Sequence, residues 1–255
     1  MEIMERRKYF DILKGMAIFF VVVGHASYLL SDYVYTYHLA LFFFVSGFLY
    51  NEKKYGNDPF LNIGNRIKSN WSKYVIYTSL IGILHFFDSF QFICRIEGSK
   101  WDFSDYRNYF LNNIVMNNTE DLCGAMWFVP PLILASSLLG LIIYAGNTFG
   151  KYSKKHSILI KNIIICLAGI CLFLGNERME LKFMLDYRLD VSLFVIPLLV
   201  LAYFINTYVK DFSKYLKGYI AIPCFICTIY LAYKCGYRPL LAGQMVGIKS
   251  FYFYL

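Results

Sequence analysis

The sequence has 255 residues, of which 58% are hydrophobic, 20% aromatic and 16% charged, with a mean hydropathy of +0.47 and a formal net charge of +8. A soluble domain is about half apolar and roughly a quarter charged, so this composition excludes a soluble enzyme and predicts an integral membrane protein. The basic excess is then a topology signal carried by loops rather than a nucleic-acid patch.

Apolar runs predict seven transmembrane helices, at 10–30, 37–50, 74–93, 127–146, 158–176, 190–209 and 218–233, with 245–255 reading as the opening of an eighth. Most approach the ~20 residues that span a bilayer; the second is short. The apolar run after residues 1–8 has no small-residue cleavage site, so the first helix is expected to stay as an uncleaved anchor. No repeat, linker or low-complexity tract interrupts the chain, and the fold class is an all-α polytopic helical bundle forming one domain over 1–255. Lys and Arg concentrate before the first helix and in alternate loops (Lys53, Lys54, Arg66, Lys68 and Lys73, then Lys151 to Lys161), while acids gather in the others, which predicts the N-terminus inside.

The first segment carries the densest chemistry. Asp11-Ile12-Leu13-Lys14-Gly15 opens a run with no further charge before His25. At 100° per residue, Lys14 and His25 leave the same helix face within about 20°, and Asp11 falls within about 40° of His25. Ionisable groups inside a membrane are expensive and normally face a protein interior or a wet cavity, so a functional face is expected here. The alternative is that Asp11 and Lys14 snorkel to one interface while His25 lies near the other.

The second segment begins at His38 and ends at Ser46-Gly47. A short hairpin would bring His38 to the depth of His25, giving two histidines one pocket; Ser46 and Gly47 read either as polar lining or as a small-residue helix contact. Arg66 and Lys68, with Lys73 close by, are expected on a solvated inner loop, as topology charges or as a cradle for a polyanion. His85 and Asp88, three apart, read as a proton relay or a local polar pair. The loop 94–125 holds Trp101, Tyr106, Tyr109 and several Asn, a composition that suits a sugar face and equally a membrane surface. Cys94 and Cys123 share it, leaving a disulfide open. Cys224 and Cys227 lack a second pair or a nearby histidine, and no metal-ligand spacing occurs, so no metal site is expected.

Together these motifs resemble a known family. Asp11-x-x-Lys14-Gly15, then His25, then His38-x-x-Leu41-Phe42-Phe43-Phe44-x-Ser46-Gly47, and then Trp127-Phe128-Val129-Pro130 are similar to the membrane acyltransferase-3 family, especially its fucose O-acetylase-like branch. The resemblance covers the first half closely and the rest by segment pattern. It implies transfer of acetyl from cytoplasmic acetyl-CoA, a co-substrate rather than a bound cofactor, to a sugar hydroxyl of an exported or cell-surface polysaccharide. The implied partners are a glycan or lipid-linked saccharide and membrane lipid, not nucleic acid, and the implied location is the plasma or inner membrane. It further implies catalytic roles for His25, Lys14, Asp11 and His38, and substrate or donor binding by Arg66, Ser46 and Trp127. The sequence departs from the family in Lys14, usually Arg, and in Ala40, usually Pro. Family members continue through further helices, so the domain is expected to extend past Leu255.

Acyl transfer needs a base or acyl carrier for the alcohol and a cation or donor for the oxyanion. His25 fits the first role, and Asp11 and Lys14 the CoA-facing end of the path. The rival reading is a transporter or channel whose solute or proton path uses the same intramembrane Lys and His. An inactive membrane scaffold is the third.

Overall fold

The structure is a computed structural model that describes residues 2–26, 38–86, 101–117, 126–152, 156–179 and 189–209, with positions 123, 223 and 230. Among the described residues no strand occurs, and the helices are α1 (Glu2–Ala26), α2 (His38–Phe48), α3 (Glu52–Tyr55), α4 (Pro59–Phe86), α5 (Phe103–Ile114), α6 (Val129–Gly150), α7 (Ser157–Met179), α8 (Leu189–Phe194) and α9 (Ile196–Tyr208). The expected segments at 218–233 and 245–255 lie outside the described residues.

Three described stretches are long and apolar enough to cross a membrane: Val129–Gly150, Ser157–Leu174 and Leu189–Tyr208. α2 is apolar but only 11 residues long. This supports a membrane bundle in which three of the seven expected spans are met among the described residues. α6 starts with Pro130 and Pro131, because proline in a first turn gives up an amide that has no helical acceptor anyway. Pro197 plays the same part in α9, where it breaks an otherwise continuous rod at Val195; Val195 N–H still reaches the Val191 carbonyl at 3.1 Å.

Two boundaries differ from the sequence expectation. The third segment, expected from residue 74, is the distal half of α4, which runs for 28 residues from Pro59. Asp58 explains the early start: its side chain accepts from Leu61 N–H at 2.9 Å and caps a helix that opens on proline. Arg66, Lys68 and Lys73 therefore sit in a helix, not on a solvated loop. The loop 94–125 likewise contains α5, nucleated by a reciprocal capping box between Asp102 and Asp105.

The core lies where α2, α6, α8 and α9 meet, around Phe43, Leu139, Ile143, Val191 and Leu199, with α7 closing it through Ile165 and Phe173. In hydrocarbon, burial gains little transfer energy, so close contact carries the association. Gly47 supplies such a contact: a Cβ there would stand 2.8 Å from Leu199 Cα. α1 packs on α2 through Phe10 and Phe48, whose ring centroids are 4.8 Å apart. α5 docks on distal α4, with Tyr109 donating to the Thr78 carbonyl and Trp71 Nε1 to the Ile114 carbonyl at 2.7 Å. The outer face of α7 leaves Ile158, Leu159, Ile163, Leu167, Ile170 and Leu174 exposed, a surface suited to lipid.

Candidate active site

A polar chain crosses the bundle between α2, α4 and α6. Ser136, one turn beyond Leu132, gives its only hydroxyl hydrogen to the Leu132 carbonyl at 2.6 Å. In its 2.7 Å contact with Ser46 Oγ, Ser136 is therefore the acceptor and Ser46 the donor. Ser46 in turn accepts from Arg66 Nη1 at 3.1 Å. The order of donation, from Arg66 through Ser46 and Ser136 to a backbone carbonyl, is fixed by that one hydrogen count.

Asn62, one turn before Arg66 on α4, donates to the Ser136 carbonyl at 3.3 Å. Its amide fits because position 140 is glycine: a Cβ there would stand 2.5 Å from Asn62 Nδ2 and 3.7 Å from the Tyr50 ring. Tyr50 and Asn62 are 3% and 0% exposed, yet among the described residues the Tyr50 hydroxyl and Asn62 Oδ1 have no hydrogen-bond partner. Arg66 is half-buried beside Tyr50 and Tyr55, and no described carboxylate stands against it. Burial, then the Glu52 charge, push the Tyr50 phenol up to about 12 against the opposing pull of Arg66, so it is a donor and not a base. The cluster thus offers a guanidinium with one of five N–H groups engaged and a phenol able to donate, the equipment for holding an anion or a carbonyl that becomes one.

A second polar group lies one aromatic layer away. Glu52 pairs with Lys161 of α7 and accepts from Tyr203 of α9 at 2.6 Å. Tyr203 meets Tyr50 edge to face at 6.1 Å. Burial would raise the Glu52 carboxyl, but hydrogen bonds from Lys161 and Tyr203 and the Lys161 charge win, and it stays below the usual carboxylate range.

The residues singled out in the sequence do not gather in one place. Ser46 and Arg66 are in contact. Gly47, its neighbour, makes the close helix approach, so the Ser46-Gly47 pair serves both as polar lining and as a small-residue contact. Asp11 and Lys14 are exposed on α1, with no hydrogen bond or ion pair among the described residues. His25 belongs to α1, but its side chain lies outside the described residues. His38, 3% exposed, opens α2. Trp127 packs half-buried on the core just before α6, beside the Phe42–Phe128 pair. The His85 side chain, Asp88, Cys94, Cys224 and Cys227 lie outside the described residues; Cys123 is buried, its sulfur 3.2 Å from the Tyr109 hydroxyl. No cluster of metal-ligand residues occurs among the described residues.

Sequence reasoning missed Tyr50, Asn62, Ser136, Glu52 and Tyr203. Asn62 and Ser136 carried a faint signal as amide and hydroxyl within helical stretches; the others carried none.

A family model described as an acyltransferase domain matches residues 7–255. No curated protein and no solved structure matches the chain.

Proposed function

The chain belongs to the membrane acyltransferase-3 family, and from that premise we propose that it moves acetyl from acetyl-CoA to a sugar hydroxyl of an exported or cell-surface polysaccharide. The acceptor oxygen attacks the thioester carbonyl, the carbon–sulfur bond breaks, His25 takes the hydroxyl proton, and the CoA thiolate leaves and is reprotonated. Arg66, with Ser46 behind it, attracts the anionic or carbonyl parts of the donor, while Lys14 and Asp11 shape the same end of the path. His38 and Trp127 support the acceptor end. The observation that carries the reading is Arg66 itself, a half-buried guanidinium among apolar helices with no described carboxylate against it. Such a cation is costly to retain unless a ligand completes it. Lys14 and His25 stand about 16 Å apart along α1, a span that suits a donor whose long, thin pantetheine arm joins its phosphates to its thioester.

In this reading the end holding Glu52 and Lys151 faces the cytoplasm of a plasma or inner membrane, with the N-terminus inside. Externally added thiol reagent should label Asn112→Cys and miss Lys54→Cys; the reverse result overturns the orientation. The activity is tested by mass spectrometry of surface glycans with and without this gene, then with His25→Gln restored at wild-type level. Acetylation should fall by about 10²-fold or more in the variant, which keeps size and one hydrogen bond but cannot relay a proton. Full acetylation by that variant would falsify the assignment of His25. Altered solute flux with untouched acetylation would favour a transporter.

A further inference from the structure

Where α2 turns into α3 and α6 into α7, an open cleft of about 380 Å3 lies over Glu52, bounded by Lys53, Asn57, Lys151, Ser157 and Lys161. Its floor is ordered: Lys161 is tied to Glu52, Glu52 to the Tyr203 hydroxyl at 2.6 Å, and Asn147 Nδ2 to the Gly56 carbonyl at 3.1 Å. Its rim is positive. Lys151 Nζ donates to the neutral Asn57 Oδ1 at 3.2 Å, Lys53 is exposed, and neither has a carboxylate partner among the described residues. Three lysines facing one carboxylate leave the cleft with a cationic excess.

Lysines anywhere on this side of the bundle would satisfy a topology preference. Here they converge from three separate segments on one concave site, beside amide and hydroxyl donors and over a fixed floor. We propose that the cleft binds a phosphate ester, with Lys53 and Lys151 as its free cations, Lys161 held by Glu52 as the third, and Asn57 and Ser157 as neutral donors. Lysine suits this task as a point charge on a flexible stem that needs no single phosphate orientation. The ester has two sources, a soluble nucleotide-type phosphate or an anionic phospholipid headgroup at the membrane surface. The inference does not depend on acyl transfer, because phosphate binding is measured directly.

The test uses the full chain in neutral detergent micelles. Adenosine 3′,5′-bisphosphate is titrated calorimetrically, and phosphatidylglycerol retention is counted by native mass spectrometry. Lys53→Gln with Lys151→Gln should weaken the probe that binds by roughly tenfold, and Lys53→Arg with Lys151→Arg should keep it. Arg107→Gln, exposed on α5 and outside the cleft, should leave binding unchanged. Bisphosphate binding lost in the double Gln variant identifies a soluble ester; phosphatidylglycerol retention alone, lost in the same variant, identifies a headgroup. Equal weakening by Arg107→Gln, binding indifferent to the double Gln variant, or binding of neither probe overturns the proposal.

Discussion

Arg66 and Lys161 are both half-buried cations in one helical bundle, separated by the Tyr50 and Tyr203 rings, yet they are completed differently. Lys161 meets a carboxylate, and that carboxylate meets a tyrosine hydroxyl. Arg66 meets a serine, which meets another serine, and the chain ends on a backbone carbonyl. A cation matched within the fold holds helices together; a cation left with neutral neighbours is open to a ligand. The difference lies in the partner, since both are basic residues on the same side of the topology.

The largest expected effect breaks the comparison at its unmatched member. Arg66→Ala removes a charge that has no counter-ion among the described residues, so relief of desolvation offsets the lost Ser46 hydrogen bond and thermal stability should change little. Acyl transfer should fall by about 10²-fold, the scale for losing an oriented cation at developing charge. Arg66→Lys should recover only part of it, because the forked donor geometry is gone. The check is turnover of acetyl-CoA alongside Tm in the same detergent; a large Tm loss with proportional activity loss would make Arg66 a structural residue like Lys161.

A middle-sized effect sharpens the comparison through packing. Gly47, the residue after Ser46, lets α2 approach the backbone of α9 and so helps to fix where Ser46 stands. Gly47→Ala forces those helices apart, costing about 2 kcal/mol, and the shift of Ser46 should lower turnover by roughly tenfold. Gly15→Ala, where a Cβ meets nothing within 4 Å, is the control and should cost no stability. Denaturation midpoints of the two variants separate packing at Gly47 from a general intolerance of alanine.

Much of this arrangement was legible from residue type, and the rest was not for identifiable reasons. The apolar periodicity of α6, α7 and α8–α9 is dense enough that length alone predicts three spans. Arg66 stood out as a cation, but its basic neighbours made 66–73 look like a loop; the Asp58-Pro59 cap that starts α4 upstream carried the missing information. Ser46 and Arg66 are 20 residues apart and Ser46 and Ser136 are 90 apart, so nothing local announces that they touch. Nothing local singles out Glu52, and its importance comes from Lys161 and Tyr203, brought to it by α7 and α9. Conversely, Asp11 and Lys14 have a spacing that suggests a shared face, while the structure leaves both exposed on α1.

The smallest effect tests the matched member through pH. Glu52→Gln keeps the shape of the side chain but removes its charge and one of its two acceptor oxygens, so near neutral pH it should cost about 1 kcal/mol, modest because both partners retain some exposure. The folded carboxyl sits below its ordinary value of 4.5, which means the ionised form is favoured by folding. That contribution is complete above the unfolded value and is lost as pH falls through the lower, folded one. Wild-type and Glu52→Gln proteins should therefore differ in Tm near neutrality and converge as the pH is lowered beneath 4.5. Arg66→Ala should show no such convergence, since the guanidinium stays charged throughout that range and no carboxylate among the described residues stands against it to titrate. A Glu52→Gln difference that persists unchanged in acid would mean that the carboxylate acts through shape and not charge, and the contrast between the two cations would collapse.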